Sequence, residues 1–421
     1  MLKKGNAWLW IPTLYFASGL PYHAITSISD IMYKDMGISN SKIALYTSIL
    51  LIPWTIKPLW SPIVEMVSTR RKWTLVSQLL LAVCFAAIAF VIPSNHFLAL
   101  TLVAFFIGAF VSSTHDIALD GFYILGLPQE KQSFFSGIRN TFYRIATVFS
   151  SGILVMLANR LGHNLGSNTL AWSATFAITG AIMLALWFYH AKAMPTPEKD
   201  IARTTKSIKS AFYNYGDIIK TYFQKPGIWQ ALLFLLLFRF PEAQLAKMGK
   251  LFLMDSAANG GLALDKGEIG FIYGVLGVIG LIIGGIAGGI CISRKGLKYW
   301  LWPMVAAISL PDLVYVYMSI ALPENMTIIG SCIFIEQLGY GFGFTAYTLY
   351  MIYFAQGNYP TAHFAISTAF MSLGMMLPGM FAGVLEEWMG YENFFIWVTA
   401  CTLITFIVSA LIKIDAGFGK K

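Results

Sequence analysis

Charge is what this sequence has least of. Only 12% of its 421 residues are Asp, Glu, Lys or Arg, where a soluble domain carries about a quarter. With 57% apolar side chains and a mean hydropathy of +0.66, an ordinary water-soluble globule is excluded. Cysteine is scarce too. Cys84, Cys291, Cys332 and Cys401 all fall in apolar runs and have no C-x-x-C spacing, so they read as small buried hydrophobes rather than disulfides or metal ligands. H-E-x-x-H and G-x-S-x-G are missing, as is any long polar stretch able to form a soluble domain. No cofactor and no metal are therefore expected. An intramembrane transferase built on His115 and Asp116, or a sensor that moves nothing, becomes the weaker reading, and the chain is not read as an enzyme.

Apolar runs, by contrast, recur along the whole length. About 20 residues cross a bilayer as a helix, and twelve such stretches centre near residues 20, 52, 83, 111, 146, 180, 240, 280, 310, 341, 373 and 402. The first, from Trp8, is too long for the core of a cleavable signal. Net charge is +9, but the basic residues crowd into alternate loops: Arg70, Arg71 and Lys72, then Lys192 to Lys225, then Arg294, Lys295 and Lys298. That asymmetry marks the cytoplasmic side and places both termini there. It explains the basic balance without a nucleic acid.

Residues 191–225 change character. Pro195 and Pro197 interrupt the chain, and Ser207 to Phe223 mixes Lys with Ile, Phe and Tyr, as a helix lying on anionic lipid would. The expected division is a six-helix bundle over 1–190, a basic cytoplasmic linker over 191–225 and a second six-helix bundle over 226–421. A faint echo relates the halves: Arg70-Arg71-Lys72-Trp73 after the second span, and Arg294-Lys295-Gly296-Leu297-Lys298-Tyr299-Trp300 after the eighth. This layout resembles the six-plus-six repeat of major facilitator transporters. The expected fold is thus all-α, with twelve transmembrane helices in two pseudo-symmetric bundles.

The few charges inside spans carry the functional reading, because a carboxylate at membrane depth costs roughly 2.5 kcal/mol or more. Asp116 and Asp120, four apart, share one face of the fourth span. Arg139 lies about 9 Å and Arg144 about 17 Å into the fifth. Asp116, Arg139 and Lys57 fall in one layer, as a structural ion-pair cluster or as a proton site. Lys57, near a helix end, reads as snorkelling to the interface. Arg144 would anchor a substrate carboxylate or pair with Glu242 or Glu336. In the second half Arg239 and Glu242, three apart, can pair along their helix, with Pro241 kinking it. Glu336 sits near mid-span, and Asp312 is similar in depth on a more peripheral helix. His115 and His23 are candidate proton carriers. Tyr22, Tyr340, Tyr347 and Tyr350 could stack on sugar rings, although aromatics in spans more often pack or anchor. Gly284-Gly285-Ile286-Ala287-Gly288-Gly289 reads as a site of close helix packing.

Several stretches resemble one branch of that superfamily, the AmpG muropeptide permeases and related acetyl-CoA transporters. Phe16-Ala17-Ser18-Gly19-Leu20-Pro21 matches its first-span motif, Lys57-Pro58-Leu59-Trp60-Ser61-Pro62 its second, and His115-Asp116-Ile117-Ala118-Leu119-Asp120-Gly121-Phe122-Tyr123 its fourth. Thr361-Ala362-His363-Phe364-Ala365 resembles a further one. His115 stands where the family has Gln, and Arg239-Phe240-Pro241-Glu242 where it has K-L-G-D; both positions would line the cavity. The resemblance implies proton-coupled import of N-acetylglucosaminyl-anhydro-muramyl sugars or peptides across the bacterial inner membrane by a monomer. Another anionic oligosaccharide or an acyl-CoA is the alternative cargo. Asp116, Asp120, His115, Glu242 and Glu336 would then carry protons. Arg144, Arg139, Arg239, Tyr22, Tyr347 and Tyr340 would hold substrate, and Glu65, Arg70 and Arg71 would lock the inner gate.

Overall fold

The computed structural model describes residues 6–127, 129–197, 200, 208–357 and 359–420. Among these residues there is no strand; twelve long helical segments follow one another. α1 covers residues 7–35, running from Ala7–His23 through a π-turn at Ala24–Ile28 into Ser29–Asp35. α2 covers residues 40–67 in short pieces interrupted around Pro53 and Pro58. Next come α3 (Arg70–Val91), α4 (Phe97–Gly126), α5 (residues 129–165, with a π-turn at Phe149–Leu154) and α6 (Asn168–Ala193). After the linker helix Ile208–Phe223 come α7 (Ile228–Met254), α8 (Lys266–Lys295), α9 (Leu297–Ala321) and α10 (Met326–Ala355). One run, Pro360–Leu411, contains α11 (360–389) and α12 (391–411), divided where Gly390 takes φ 76°. Only glycine adopts that value freely.

Eight runs, the α11–α12 run among them, are long and apolar enough to cross a bilayer. α2 falls short because it is broken into short pieces, and α1 and α10 because prolines and polar residues dilute their apolar runs: Pro12, Pro21, His23 and several Ser and Thr in α1, Glu336, Gln337 and four tyrosines in α10.

Two compact units emerge: Met1–Met36 with Ile56–Asn214, and Gly37–Thr55 with Tyr215–Lys421. The first part of α2 therefore clusters with the second unit, where it packs on the Pro360–Leu411 run. Polar bonds far along the chain join them: Asn40 Nδ2 donates to Glu386 Oε2 at 2.8 Å and Ser41 N donates to Glu387 Oε1 at 2.9 Å. Tyr391 OH joins the network, 2.8 Å from Asn40 Nδ2 and 3.0 Å from Asp255 Oδ2. The linker helix also ends in the second unit, where Tyr222 is fully buried and its OH meets Ser367 Oγ at 3.0 Å. That end is packed into the helices rather than left to lie on lipid.

Between apolar helices in lipid there is little hydrophobic driving force, so close contact rests on small residues and polar bonds. In the first unit α1 packs on α5 and α4, and α3 packs on α4 and α6. A Cβ on Gly19 would come within 2.8 Å of Ala146 Cβ and 3.0 Å of the Tyr143 carbonyl, so this glycine sets how closely α1 approaches α5. In the second unit α10 is held between α8 and α9. There a Cβ on Gly284 would run into the backbone of Leu338 and Phe342.

Candidate functional site

Within the first unit, α1, α2, α4 and α5 enclose a cavity of about 260 Å3, lined by Tyr15, Ser18, Lys57, Asp116, Leu119, Asp120, Arg139, Asn140 and Tyr143. The i,i+4 spacing on α4 brings both carboxylates to it. Ser18 Oγ donates to Asp116 Oδ1 at 2.6 Å, and Tyr15 OH donates to Asp120 Oδ1 at 3.3 Å. From α5, Arg139 Nη1 donates to Tyr15 OH at 3.2 Å and lies 3.6 Å from Asp120 Oδ1. The guanidinium also sits over the Tyr15 ring at 5.1 Å and the Tyr123 ring at 5.2 Å, contacts that hold a cation by the ring quadrupole. The Arg139–Asp120 pair is long and open, its side chains 31% and 54% exposed. Two cations and two anions thus share one small polar space.

Lys57 belongs to this lining, which corrects the snorkelling expectation. The short turn at Lys57–Leu59 breaks α2 there and brings Lys57 to the cavity. Tyr15, Ser18, Asn140 and Tyr143 were not singled out from the sequence, yet all four line it. A signal existed for the first two: they stand three apart, on one face of α1, in and beside the Phe16–Pro21 motif. Arg144 is half-buried and lies off the lining. Tyr22 packs edge-on against His23, 5.1 Å between rings, and His23 Nε2 meets Thr147 Oγ1 at 2.7 Å.

His115 is a second correction. One residue before Asp116, it is turned about 100° around the helix and is fully buried away from the cavity. Its Nε2 meets Gln78 Nε2 at 3.1 Å, Gln78 Oε1 meets His190 Nδ1 at 3.0 Å, and His190 Nε2 meets Thr13 Oγ1 at 3.0 Å. This buried string ties α4, α3, α6 and α1 together.

Of the loop residues read as a gate, Arg70 and Arg71 are bonded at the start of α3. Asp200 accepts from Arg70 N at 2.8 Å and Arg71 N at 2.9 Å, satisfying free amides at the start of α3. The Arg71 guanidinium donates to the Ala191 carbonyl at 2.7 Å and the Met194 carbonyl at 3.3 Å, at the end of α6. The side chain of Glu65 lies outside the described residues.

In the second unit α7 breaks at Phe238–Arg239, ahead of Pro241. Arg239 bonds Glu242 twice, from Nε at 2.8 Å and from Nη2 at 2.7 Å, with side chains 9% and 12% exposed. It also donates to Tyr340 OH at 2.6 Å and lies 4.8 Å from the Phe344 ring centre. Tyr347, expected to meet substrate, is instead fully buried, its OH donating to the Leu235 carbonyl at 2.6 Å. The break in α7 frees that carbonyl from its usual helical partner, and a buried acceptor needs one. Glu336 is buried on α10 and accepts from Gln337 Nε2 at 2.9 Å. Asp312 is buried beside it on α9, and Asp312, Glu336 and Glu242 interact electrostatically. Among the described residues no three His, Cys, Asp or Glu side chains converge as a metal site would require.

Twelve long helical segments in two units, most of them apolar enough to cross a bilayer, with a charged cavity inside one unit, have the layout of a membrane carrier for small solutes. Residues 13–383 match the Major Facilitator Superfamily, and the chain belongs to it. It is similar to the anhydromuropeptide permease of Escherichia coli, 25% identical over 395 residues that cover 93% of this chain and 76% of that one. An uncharacterised protein of Haemophilus influenzae is 24% identical over 394 residues, 90% and 88% of the two chains. The structure of the nucleoside transporter NupG superposes with a TM-score of 0.70 at 15% identity, over 97% of this chain and 100% of that one, a likeness of fold alone.

Proposed function

We propose that this transporter imports muropeptides, N-acetylglucosaminyl-anhydro-muramyl sugars or peptides, into the bacterial cytoplasm, driven by the proton gradient through alternating access. The similarity to an anhydromuropeptide permease over nearly the whole chain supports the cargo. The observation that carries the mechanism is the first-unit cavity, where Asp116 meets Ser18 beside two cations. A carboxylate kept at membrane depth beside a polar cavity is what a proton relay needs. On this reading Asp116 takes up and releases the coupling proton, and Arg139 attracts the anionic cargo. On the same reading both termini lie in the cytoplasm, an orientation that the basic loops support.

Uptake of labelled N-acetylglucosaminyl-anhydro-muramic acid into inner-membrane vesicles tests this. Accumulation that appears with an imposed inward proton gradient, collapses without it and is blocked by excess muropeptide is the expected result. No accumulation by folded protein would refute the cargo.

A further inference from the structure

The first-unit cavity carries more information than a general attraction for anions. Its lining contains two formal cations, Lys57 and Arg139, and two formal anions, Asp116 and Asp120. Formal charge therefore sums to zero, whereas a pocket made for a simple anion would be net positive. The groups are also not equally engaged. Asp116 is tied to Ser18 at 2.6 Å. Asp120 meets Tyr15 and Arg139 through Oδ1 alone, at 3.3 and 3.6 Å, and its side chain is 54% exposed. Its Oδ2 has no partner among the described residues, and neither has the Lys57 ammonium. One acceptor and one donor of full charge thus face the same space with capacity to spare.

We propose that this cavity is a subsite for a zwitterionic group, an ammonium and a carboxylate borne close together as in an amino-acid end. The ligand ammonium is received by Asp120, and the ligand carboxylate by Lys57 with the nearby Arg139 guanidinium. Charge-assisted bonds of this kind are the strong ones in a partly dry site. Tyr15 and Tyr143 supply the walls. At about 260 Å3 the space lies below the usual span of pockets that hold a whole drug-sized ligand, about 300–1,000 Å3. It takes one end of a larger solute. This assignment rests on the muropeptide reading and sharpens it: the cavity reads the peptide, and the sugars bind elsewhere.

Three ligands test it by calorimetry on the detergent-purified protein: a muropeptide whose peptide carries a free amine near a carboxylate, the same molecule acetylated at that amine, and the peptide-free sugar acid. Wild-type protein should bind the free-amine ligand about tenfold or more tighter than its acetylated form, the scale of one charge-assisted hydrogen bond. Asp120→Asn should close that gap. It also leaves the lining net positive, so the peptide-free monoanion should bind tighter to the variant than to wild type, a gain that misfolding cannot imitate. Equal binding of free and acetylated ligands by wild type would overturn the subsite and leave the muropeptide reading standing. A gap that persists in Asp120→Asn would overturn the assignment to Asp120. Failure of all three ligands to bind would overturn both the subsite and the reading beneath it.

Discussion

Arg139 and Arg239 are both guanidiniums inside a helical bundle with a carboxylate close by, yet they are held differently. Arg139 stands 3.6 Å from Asp120 with both side chains substantially open, 31% and 54% exposed. Arg239 is locked to Glu242 by two bonds of 2.8 and 2.7 Å, 9% and 12% exposed, with Tyr340 and Phe344 closing over it. An open, long pair contributes little to stability and leaves both members able to exchange partners. A buried, saturated pair contributes by not being broken, since either partner alone is a stranded charge. The first arrangement suits a ligand or a proton. The second suits a brace across the break in α7.

Removing one carboxylate from each pair exposes the difference. Glu242→Gln should cost about 3–5 kcal/mol, the scale for stranding a buried charge, seen as a large fall in thermal midpoint of the detergent-purified protein. Asp120→Asn should cost no more than about 1 kcal/mol while altering which ligands bind. Equal losses in the two variants would dissolve the distinction. An effect smaller than that of Glu242→Gln is expected at the ring that completes the brace: Tyr340→Phe removes one bond to a charged donor, worth about 1.5–3 kcal/mol. Its cost should shrink in a Glu242→Gln background, because both side chains hold the same guanidinium. Strict additivity in that double-mutant cycle would show that Tyr340 and Glu242 act separately.

Much of the architecture was legible because a bilayer imposes a length: apolar runs of about twenty residues, interrupted by proline and basic loops, announce spans directly. The placement of the first part of α2 was not, since it rests on contacts as distant along the chain as Asn40 with Glu386, 346 positions away. At the site, periodicity put Asp116 and Asp120 on one face, and the structure brings both to the cavity. The same geometry argues against His115 beside them, for adjacent residues on a helix point about 100° apart. Lys57 was misread because a break in α2 changes where a near-terminal side chain points, and depth counted along an ideal helix does not register such a break. Tyr347 was misread for a related reason. The carbonyl it satisfies is left over only because α7 breaks, and a spacing pattern on α10 contains nothing of that.

Proton coupling at Asp116, beside the open Arg139–Asp120 pair, is the centre of the account, and Asp116→Asn tests it most directly in proteoliposomes. Two rates should be read from one preparation: uphill uptake of labelled muropeptide under an imposed proton gradient, and exchange of labelled for unlabelled muropeptide at equilibrium. Loss of uphill uptake with exchange retained is the predicted result, because the carrier would still cycle loaded but could no longer couple that cycle to a proton. Uphill uptake at the wild-type rate would contradict the assignment of coupling to Asp116.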